Sequence, residues 1–398
     1  MPSYIPYGAY WSTPFARWQG SLSHLNSIEL SAHVAKSAMS ARGITTEQID
    51  YCAYGMTVIQ PGCFYATPWF TAMIGAEQLG GPTMNQACAT GPRLLSAAMG
   101  EIAQGLAGTV LIASGDRTSN GAHVYYPAPG GPGGTGQSED WVLGSFNYDP
   151  WAKGAMVQTA ENVAKRFGID TAEQHEVVLL RQAQYQDALA DDRAFQKRYM
   201  EAAFDVPDAR FRKTVTTLAG DEGVYPSKAE KLATLKPVVP GGTVTFAGQT
   251  HPADGAAGMI VVDSAERAAD MVGGANPLIE VLGIAQAREE KGFMPAAPIK
   301  AAENVLRQTG LSISDIDVFK SHNPFAVNDI AFARAFDLDW RGMNNFGSSL
   351  IWGHPQGPTG LRAMIEMIEE LEIRGGGIGL FQGCAAGDSA MAVVVKVI

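Results

Sequence analysis

The sequence predicts a layered α/β fold made of two similar halves. Short apolar runs typical of buried strands alternate with amphipathic helical patterns, and the order strand, turn, helix, strand occurs near both ends of the chain. Each half also carries a cysteine in a turn of small residues, Cys88 in the first and Cys384 in the second. With 398 residues, 46% of them hydrophobic and 17% charged, the chain is long and apolar enough for two or three domains.

The first half is predicted to contain two helices and two strands. Residues 30–42 and 91–105 have the apolar spacing of helices, and residues 51–59 and 109–113 that of strands. The turn that holds Cys88 lies directly before the second helix.

The middle of the chain has a different composition. Residues 121–149 are rich in glycine and proline, and such a long connection is typical of a lid or an insertion. A plain solvated linker seldom carries its aromatic residues, which are His123, Tyr125, Tyr126, Trp141, Phe146 and Tyr148. The patterns that follow predict two helices, an irregular stretch, a strand and a helix, at 156–168, 171–188, 204–247, 259–262 and 265–271.

The last part of the chain repeats the first in outline. It predicts a strand at 316–320, a helix at 326–336, and a final pair of strands joined by the Cys384 turn. Before that pair, an apolar stripe over 361–371 predicts a helix whose polar side chains face water, namely Arg362, Glu366, Glu369 and Glu370. This repetition predicts a duplicated α/β unit with a site between the two halves.

Charge and composition disfavour several classes of protein. A net charge of −11 argues against a nucleic-acid partner. No run approaches 18 apolar residues, so no transmembrane helix is expected. The first residues lack a basic region followed by an apolar run, so no secretory signal is expected.

The cysteines indicate free thiols in a reducing cytoplasm. The four cysteines, at 52, 63, 88 and 384, show no C-x-x-C spacing, and no Cys/His pair has the spacing of zinc ligands. We therefore predict a cytoplasmic protein with no metal site. Cys52 and Cys63 are expected to be buried and inert, because neither lies at a predicted helix start.

Cys88, His354 and Cys384 are the candidate catalytic residues. The positive end of the helix after Cys88 is expected to lower the pKa of its thiol, and a thiolate can accept and release acyl groups. His354, between Gly353 and Pro355, is the best candidate to take the thiol proton. Cys384 is a candidate second acid or base. Taken singly, a cysteine among alanines is more often a small core residue, and a histidine in a glycine turn is often structural.

Several segments together resemble the thiolase family, in the family's order and over nearly the whole chain. Residues 85–91 resemble the segment around the family's nucleophilic cysteine, and MVQTAENVA at 156–164 is similar to the family's MGxTAENVA. GHPQGPTG at 353–360 resembles its histidine motif, and GCAAGD at 383–388 stands where the family has its second cysteine. Thr13-Pro14-Phe15 and Asp254-Gly255-Ala256-Ala257 are further landmarks of the family.

The resemblance implies a five-layered αβαβα fold with an inserted loop domain that binds CoA. The implied division is an N-terminal half over 1–118, completed by 250–272, a loop domain over 119–249, and a C-terminal half over 273–398. It also implies ping-pong acyl transfer, in which Cys88 is acylated, His354 activates it, and Cys384 moves the proton at the α-carbon of the second acyl group.

The resemblance also assigns supporting groups. His322 begins HNPF where most members have NEAF; a histidine at this place occurs in sterol-carrier-type and archaeal members, and it would help to bind the thioester oxyanion. A second oxyanion site would use the backbone N–H groups of Cys88 and Ala386. The expected CoA contacts are Met156, Lys228 and Thr250, with CoA a substrate rather than a permanent cofactor.

The departures from the family concern the substrate. Ala155 stands where acetoacetyl-forming members often have histidine, which would enlarge the pocket, and the 121–149 segment is unusually aromatic. We therefore expect a bulky or aromatic 3-oxoacyl-CoA, as in benzoylsuccinyl-CoA thiolysis, rather than acetoacetyl-CoA.

Two other functions stay open from the sequence. A decarboxylating ketosynthase-like enzyme would lack the second catalytic cysteine, and a non-catalytic acyl-CoA-binding subunit would not need the set of Cys88, His354 and Cys384. The resemblance implies a homodimer or a dimer of dimers. Members with histidine in the fourth motif sometimes require a small zinc-containing OB-fold partner.

Overall fold

The computed structural model describes residues 2–273 and 276–398. Its strands are β1 (Ser3–Ile5), β2 (Tyr10–Ser12), β3 (Ala16–Arg17), β4 (Tyr51–Gly55), β5 (Thr83–Met84), β6 (Thr109–Arg117), β7 (His123–Tyr126), β8 (Gln137–Asp140), β9 (Phe204–Pro207), β10 (Thr214–Leu218), β11 (Ala253–Val262), β12 (Ile279–Arg288), β13 (Val318–His322), β14 (Gly377–Ala385) and β15 (Ser389–Val397). Its α-helices are α1 (Ser27–Ala41), α2 (Ala66–Ile74), α3 (Thr90–Ala103), α4 (Leu143–Asn147), α5 (Met156–Phe167), α6 (Thr171–Lys197), α7 (Ala229–Leu232), α8 (Ala265–Val272), α9 (Ala297–Thr309), α10 (Ala326–Phe336), α11 (Ser349–Trp352) and α12 (Gly357–Ile373). None of the helices in these two ranges is both long enough and apolar enough to cross a membrane.

One large mixed sheet runs through both halves, in the order β13-β14-β15-β12-β1-β11-β6-β4-β5. The short strand β1 joins the halves, because it pairs with β12 on one side and with β11 on the other. Strands β2 and β3 pair with β11 outside this path.

The two halves repeat one unit. In the first, β4 and β6 are parallel, α3 lies between them in the chain, and β11 runs antiparallel to β6. In the second, β13 and β14 are parallel, α12 lies between them, and β15 runs antiparallel to β14. The units differ in one connection: 118–252 joins β6 to β11, whereas 386–388 joins β14 to β15. The long connection contains the segment 119–249 assigned above to a loop domain; the three-part division stays a prediction.

The helices and the two parts of the sheet form five layers. Helix α1 packs on β6 and β11 from outside, and α3 packs on β4 and β6 from the opposite side. Helix α3 also packs on α12, which contacts β13 and β14, and α9 covers the outer side of β12, β14 and β15. The order is therefore helix, sheet, helix, sheet, helix, which confirms the predicted αβαβα architecture.

The N-terminal ends of the central helices α3 and α12 approach closely because glycines line their contact. A Cβ on Gly91 would lie 2.7 Å from the backbone nitrogen of Leu361, and a Cβ on Gly360 would lie 2.6 Å from Cδ of Pro92. A real Cβ at either place would force the helices apart. Since Cys88 precedes α3 and His354 precedes α12, this contact brings the two candidate residues together.

The prediction that the polar side of α12 faces water is wrong. Arg362, Glu366, Glu369 and Glu370 are at most 2% exposed, because α12 lies in the central layer and packs against neighbours on every side. These charges have partners: Lys320 lies 2.8 Å from Glu366, and the Tyr10 hydroxyl donates to Glu369 at 2.6 Å. Arg362 pairs with Asp221 of the long connection.

Other differences from the sequence prediction are local. Residues 204–247 are not wholly irregular, since they hold the β9–β10 hairpin and the short helix α7. Residues 121–149, expected to form a lid or an insertion, contain the β7–β8 hairpin and α4. Strand β12 and helix α9 were not predicted. Helix α6 extends nine residues beyond the predicted end, although its backbone leaves helical geometry at 190–193.

Candidate active site

Cys88 lies in a tight turn immediately before α3. Ala87 has φ +47°, and its amide donates to Oδ1 of Asn85 at 2.9 Å, while the Thr90 hydroxyl donates to the carbonyl of Ala87 at 2.7 Å. These bonds bend the chain sharply, so the partly exposed Cys88 side chain points into a cavity rather than into the core.

His354 is held at both of its ring nitrogens. Its Nδ1 lies 2.7 Å from the Thr359 hydroxyl, and its Nε2 lies 3.1 Å from Sγ of Cys88. Its backbone N–H donates to the carbonyl of His251 at 2.9 Å. The preceding Gly353 has φ +97°, and a Cβ there would lie 2.8 Å from Nε2 of His251. The imidazole is thus fixed in reach of the thiol proton.

The environment favours the neutral forms of this pair. Burial raises the pKa of the Cys88 thiol to about 12, although the backbone N–H groups of Ala386 and of Cys88 itself act in the opposite direction. Burial, reinforced by the neighbouring His322, holds the pKa of His354 well below its ordinary value. The expectation that the pKa of Cys88 is lowered is therefore wrong for the free protein, because desolvation of the sulfur outweighs the two backbone N–H groups that lower it.

Cys384 lies at the end of β14 and is fully buried. The side-chain amide of Asn328 donates to its sulfur at 3.3 Å. Burial raises the pKa of its thiol, and a negative charge on Cys88 raises it further. Cys88 also packs in one small cluster with Ala385, the residue next to Cys384.

His322, the last residue of β13, packs against His354 with their rings tilted. Their ring centroids are 4.1 Å apart, with 32° between the planes. Nδ1 of His322 lies 2.9 Å from the Ser349 hydroxyl, whereas its Nε2 is buried without a hydrogen-bond partner among the residues that the structure describes. Burial lowers the pKa of His322 to about 3, so the ring is neutral. A neutral imidazole with Nδ1 bound elsewhere can present Nε2–H to a developing oxyanion.

The donor atoms of Cys88, His322 and His354 lie within 4.8 Å of one another. A metal ion would have to lie in the plane of each imidazole that binds it. The planes of the two rings are tilted by 32°, and Nε2 of His354 already contacts the Cys88 sulfur at 3.1 Å. The absence of a metal site stays a prediction.

A cavity of about 530 Å³ opens at the sulfur of Cys88. Its lining includes Cys88, His354 and Ala386, and also Met156 and Thr250, two of the predicted CoA contacts. The third predicted contact, Lys228, is exposed and is not part of the lining. Cys384 and His322, both fully buried, are not part of this lining.

The cavity wall away from the sulfur is largely apolar and aromatic. It includes Trp141 and Phe146 from the long connection, and Phe246, which is 78% exposed. The Trp141 indole N–H donates to the carbonyl of Thr57 at 2.8 Å, which fixes its ring. The other aromatic residues of the 121–149 segment do not line the cavity: Tyr125, Tyr126 and Tyr148 are exposed to solvent.

Sequence reasoning missed several residues that build this site. The buried carboxylate of Asp116 accepts backbone N–H groups from Thr57, Val58 and Gly357 at 2.8–2.9 Å, so it ties one cavity wall to the start of α12. Gln356 places Oε1 3.2 Å from Sγ of Cys88. The only sequence signal for Gln356 was its place in the histidine motif, and for Asp116 its place at the end of a buried strand.

Comparisons with known proteins agree with this geometry. Residues 9–265 match the family description "Thiolase, N-terminal domain", and residues 275–397 match "Thiolase, C-terminal domain". The chain is 28% identical to an acetyl-CoA acetyltransferase of Escherichia coli strain K12 over 96% of both chains. It is 27% identical to the human mitochondrial 3-ketoacyl-CoA thiolase, again over 96% of both.

Solved structures give the same result. The crystal structure of the human mitochondrial 3-ketoacyl-CoA thiolase covers 100% of this chain with a TM-score of 0.89 and 26% identity, and 99% of that chain is covered. Its complex with CoA has a TM-score of 0.88. A layered duplicated fold with a cysteine–histidine pair at the contact of its central helices defines a CoA-dependent acyltransferase. The chain belongs to the thiolase family.

Proposed function

We propose that the protein carries out ping-pong, CoA-dependent cleavage of a 3-oxoacyl-CoA, or the reverse condensation, through an acyl-Cys88 intermediate. The observation that carries this proposal is the 3.1 Å contact between Nε2 of His354 and Sγ of Cys88 at the end of an open cavity. Nε2 takes the thiol proton, and the sulfur lone pair attacks the 3-oxo carbonyl carbon.

In cleavage, the alkoxide then collapses, the bond between C2 and C3 breaks, and Cys88 keeps the acyl group. The electron pair left on C2 takes a proton from Cys384, and the first acyl-CoA leaves. Free CoA gives its thiol proton to the Cys384 thiolate and attacks the thioester on Cys88. The bond between the acyl carbon and the Cys88 sulfur breaks, the sulfur takes back the proton held by His354, and the second acyl-CoA is released. Backbone N–H groups of Cys88 and Ala386 bind the oxygen on the carbon that Cys88 attacks, and His322 binds the thioester oxygen next to C2.

The role of Cys384 separates this function from its rivals. A ketosynthase-like enzyme does not use a second cysteine, and a subunit that only binds acyl-CoA gains no covalent adduct. Cys384→Ala should reduce cleavage of a 3-oxoacyl-CoA at least about 100-fold, while Cys88 still takes an acyl group from a simple acyl-CoA. Cys52→Ala, which removes another buried cysteine, is the matched control.

Mass spectrometry tests the intermediate directly. The protein is given acyl-CoA without free CoA, and the peptide that contains Cys88 should gain the mass of the acyl group. Cys88→Ala should show no adduct. Absence of the adduct from the unmodified protein, or its appearance on another residue, would refute the proposal.

The preferred acyl group is proposed to be bulky or aromatic. Support comes from the aromatic wall of the cavity and from Ala155, which lines it with a small side chain. An aryl-substituted 3-oxoacyl-CoA, of which benzoylsuccinyl-CoA is one example, should be cleaved faster than acetoacetyl-CoA. Phe146→Ala should reduce that ratio, and Tyr148→Ala, in the same segment but exposed, should not. A clear preference for acetoacetyl-CoA defeats this part alone.

The assembly is proposed to be a homodimer or a dimer of dimers, on the family resemblance. Sedimentation of the purified chain tests it. Adding a small zinc-containing OB-fold protein from the same organism tests whether a partner subunit raises the rate of 3-oxoacyl-CoA cleavage.

A further inference from the structure

Gln356 is the polar side chain nearest to Cys88 that the acyl-transfer steps above do not use. It follows His354 by two residues, is 6% exposed, and contributes to the cavity lining. Its Oε1 lies 3.2 Å from Sγ of Cys88, so the thiol proton can be donated to it. Gln356 and His354 therefore contact the same sulfur.

The backbone holds Gln356 in this place under strain. Its φ of +64° and ψ of −101° lie in a region that L-residues rarely adopt, and such conformations persist where surrounding contacts over-determine them. Two contacts do so here: the next amide, of Gly357, donates to Asp116 at 2.9 Å, and the amide of Thr359 donates to the carbonyl of Gln356 at 3.2 Å. The turn directs the amide at the sulfur instead of letting it extend into solvent.

The other end of the same amide has no partner. Nε2 of Gln356 is buried and makes no hydrogen bond to any described residue, and an unmade bond of this kind is costly. With Oε1 turned toward the sulfur, the Gln356 amide can accept a hydrogen bond from the Cys88 thiol. This orientation does not suit a thiolate, since a carbonyl oxygen 3.2 Å from an anionic sulfur is repelled.

We propose that Gln356 is a further catalytic residue, whose amide N–H donates to the Cys88 thiolate. When the proton passes from Sγ to Nε2 of His354, the lone pair stays on sulfur. A half-turn of the amide about its soft terminal torsion then exchanges its oxygen and nitrogen. The unpartnered N–H gains an acceptor, and the bond is strengthened by the charge on sulfur. This inference rests on the proposed role of Cys88 as nucleophile.

The rate of Cys88 alkylation measures the thiolate without requiring turnover. The full chain is treated with iodoacetamide at pH 8, and adducts are counted by peptide mass spectrometry. Gln356→Met, similar in length but without a donor, should react about tenfold more slowly at Cys88, the effect expected for one lost hydrogen bond. Gln356→Glu should be slower still, because a carboxylate repels the thiolate.

Cys63 is partly exposed, contrary to the expectation that it is buried, so it serves as an internal reference whose alkylation rate should be the same in every variant. Gln356→Leu replaces Gln356→Met if the latter does not fold. Alkylation of Gln356→Glu at or above the unmodified rate would overturn the inference, since it would show that an acceptor suffices. The acyl-adduct experiment tests a separate claim. If Cys88 gains no acyl adduct, the acyl-transfer proposal is wrong. Slow alkylation of Cys88 in Gln356→Met would still establish the contact between Gln356 and the thiolate.

Discussion

Asp221, from the long connection between β6 and β11, and Arg362, from α12, form a bidentate ion pair with no exposure to solvent. The guanidinium nitrogens donate to the two carboxylate oxygens at 2.5 and 2.8 Å. The Arg362 guanidinium holds the pKa of Asp221 below its ordinary value, although burial alone would raise it. Arg362 also donates to Glu366, one turn along the same helix, at 3.0 Å. The inserted segment is thus anchored to the central layer by buried charge.

Breaking this pair should destabilise the protein strongly. Asp221→Leu leaves the Arg362 charge buried with one partner fewer and should lower the free energy of unfolding by about 3–5 kcal/mol. The double change Asp221→Leu with Arg362→Leu should cost less than the sum of the single changes. Urea unfolding curves give the free energy of unfolding of each variant. Arg267→Ala, in a surface pair with Asp263, should cost no more than about 1 kcal/mol; equal losses at both pairs would contradict the prediction.

The contact between α3 and α12 should be equally sensitive. Gly91→Ala places a methyl group 2.7 Å from the Leu361 backbone, so the helices must separate and carry Cys88 away from His354. Activity should fall at least about 100-fold, as expected when reacting groups shift by about 1 Å. Gly100→Ala, on the same helix but facing open space, should keep activity and stabilise the helix by up to about 1 kcal/mol. Equal activity of the two variants would show that the close contact does not position the site.

Stability should fall in acid because of His322. Its pKa is about 3 in the folded protein and about 6.5 when unfolded, so below pH 6.5 the unfolded chain binds the extra proton. This contribution is fully present above pH 6.5 and is lost as the pH falls toward 3, with about 2 kcal/mol gone at pH 5. Unfolding curves at pH 7.5 and pH 5 should therefore differ less for His322→Asn than for the unmodified protein. An unchanged difference would mean that His322 is not buried as a neutral ring.

The rate of Cys88 alkylation should keep rising with pH and should not reach a plateau near neutral pH. Since burial raises its pKa to about 12, the thiolate fraction grows about tenfold per pH unit across the measurable range. Rates with iodoacetamide from pH 7 to pH 9 test this at a fixed reagent concentration. A plateau below pH 8 would show that the helix and the nearby N–H groups outweigh desolvation after all.

The positions of Cys88 and His354 were predictable because both lie in turns of small residues before an apolar helical stripe. Local sequence carries that information: glycine at 353 leaves room for His251, and Gly91 lets the two helices touch. The family resemblance then supplied the pairing of segments that are more than 260 residues apart.

The features of the site that could not be predicted depend on how distant elements pack in the layers of the fold. Periodicity placed Glu369 on the polar side of α12, but a polar side is solvated only if nothing packs on it, and here Tyr10 and Arg198 both bind its carboxylate. The predicted lowering of the Cys88 pKa was wrong for the same reason, because desolvation of the sulfur depends on cavity walls that distant residues contribute. The orientation of the Gln356 amide likewise follows from a strained backbone that no pattern of residue types encodes.

The unequal connections of the two repeated units have a consequence for how such an enzyme diversifies. The three-residue link after β14 supplies Ala386 beside Cys88, while the corresponding link after β6 builds much of the cavity wall. Corresponding links of the two repeated units therefore contribute to different parts of one cavity. Swapping the longer link between relatives should transfer selectivity and leave the bond-making machinery of the recipient intact.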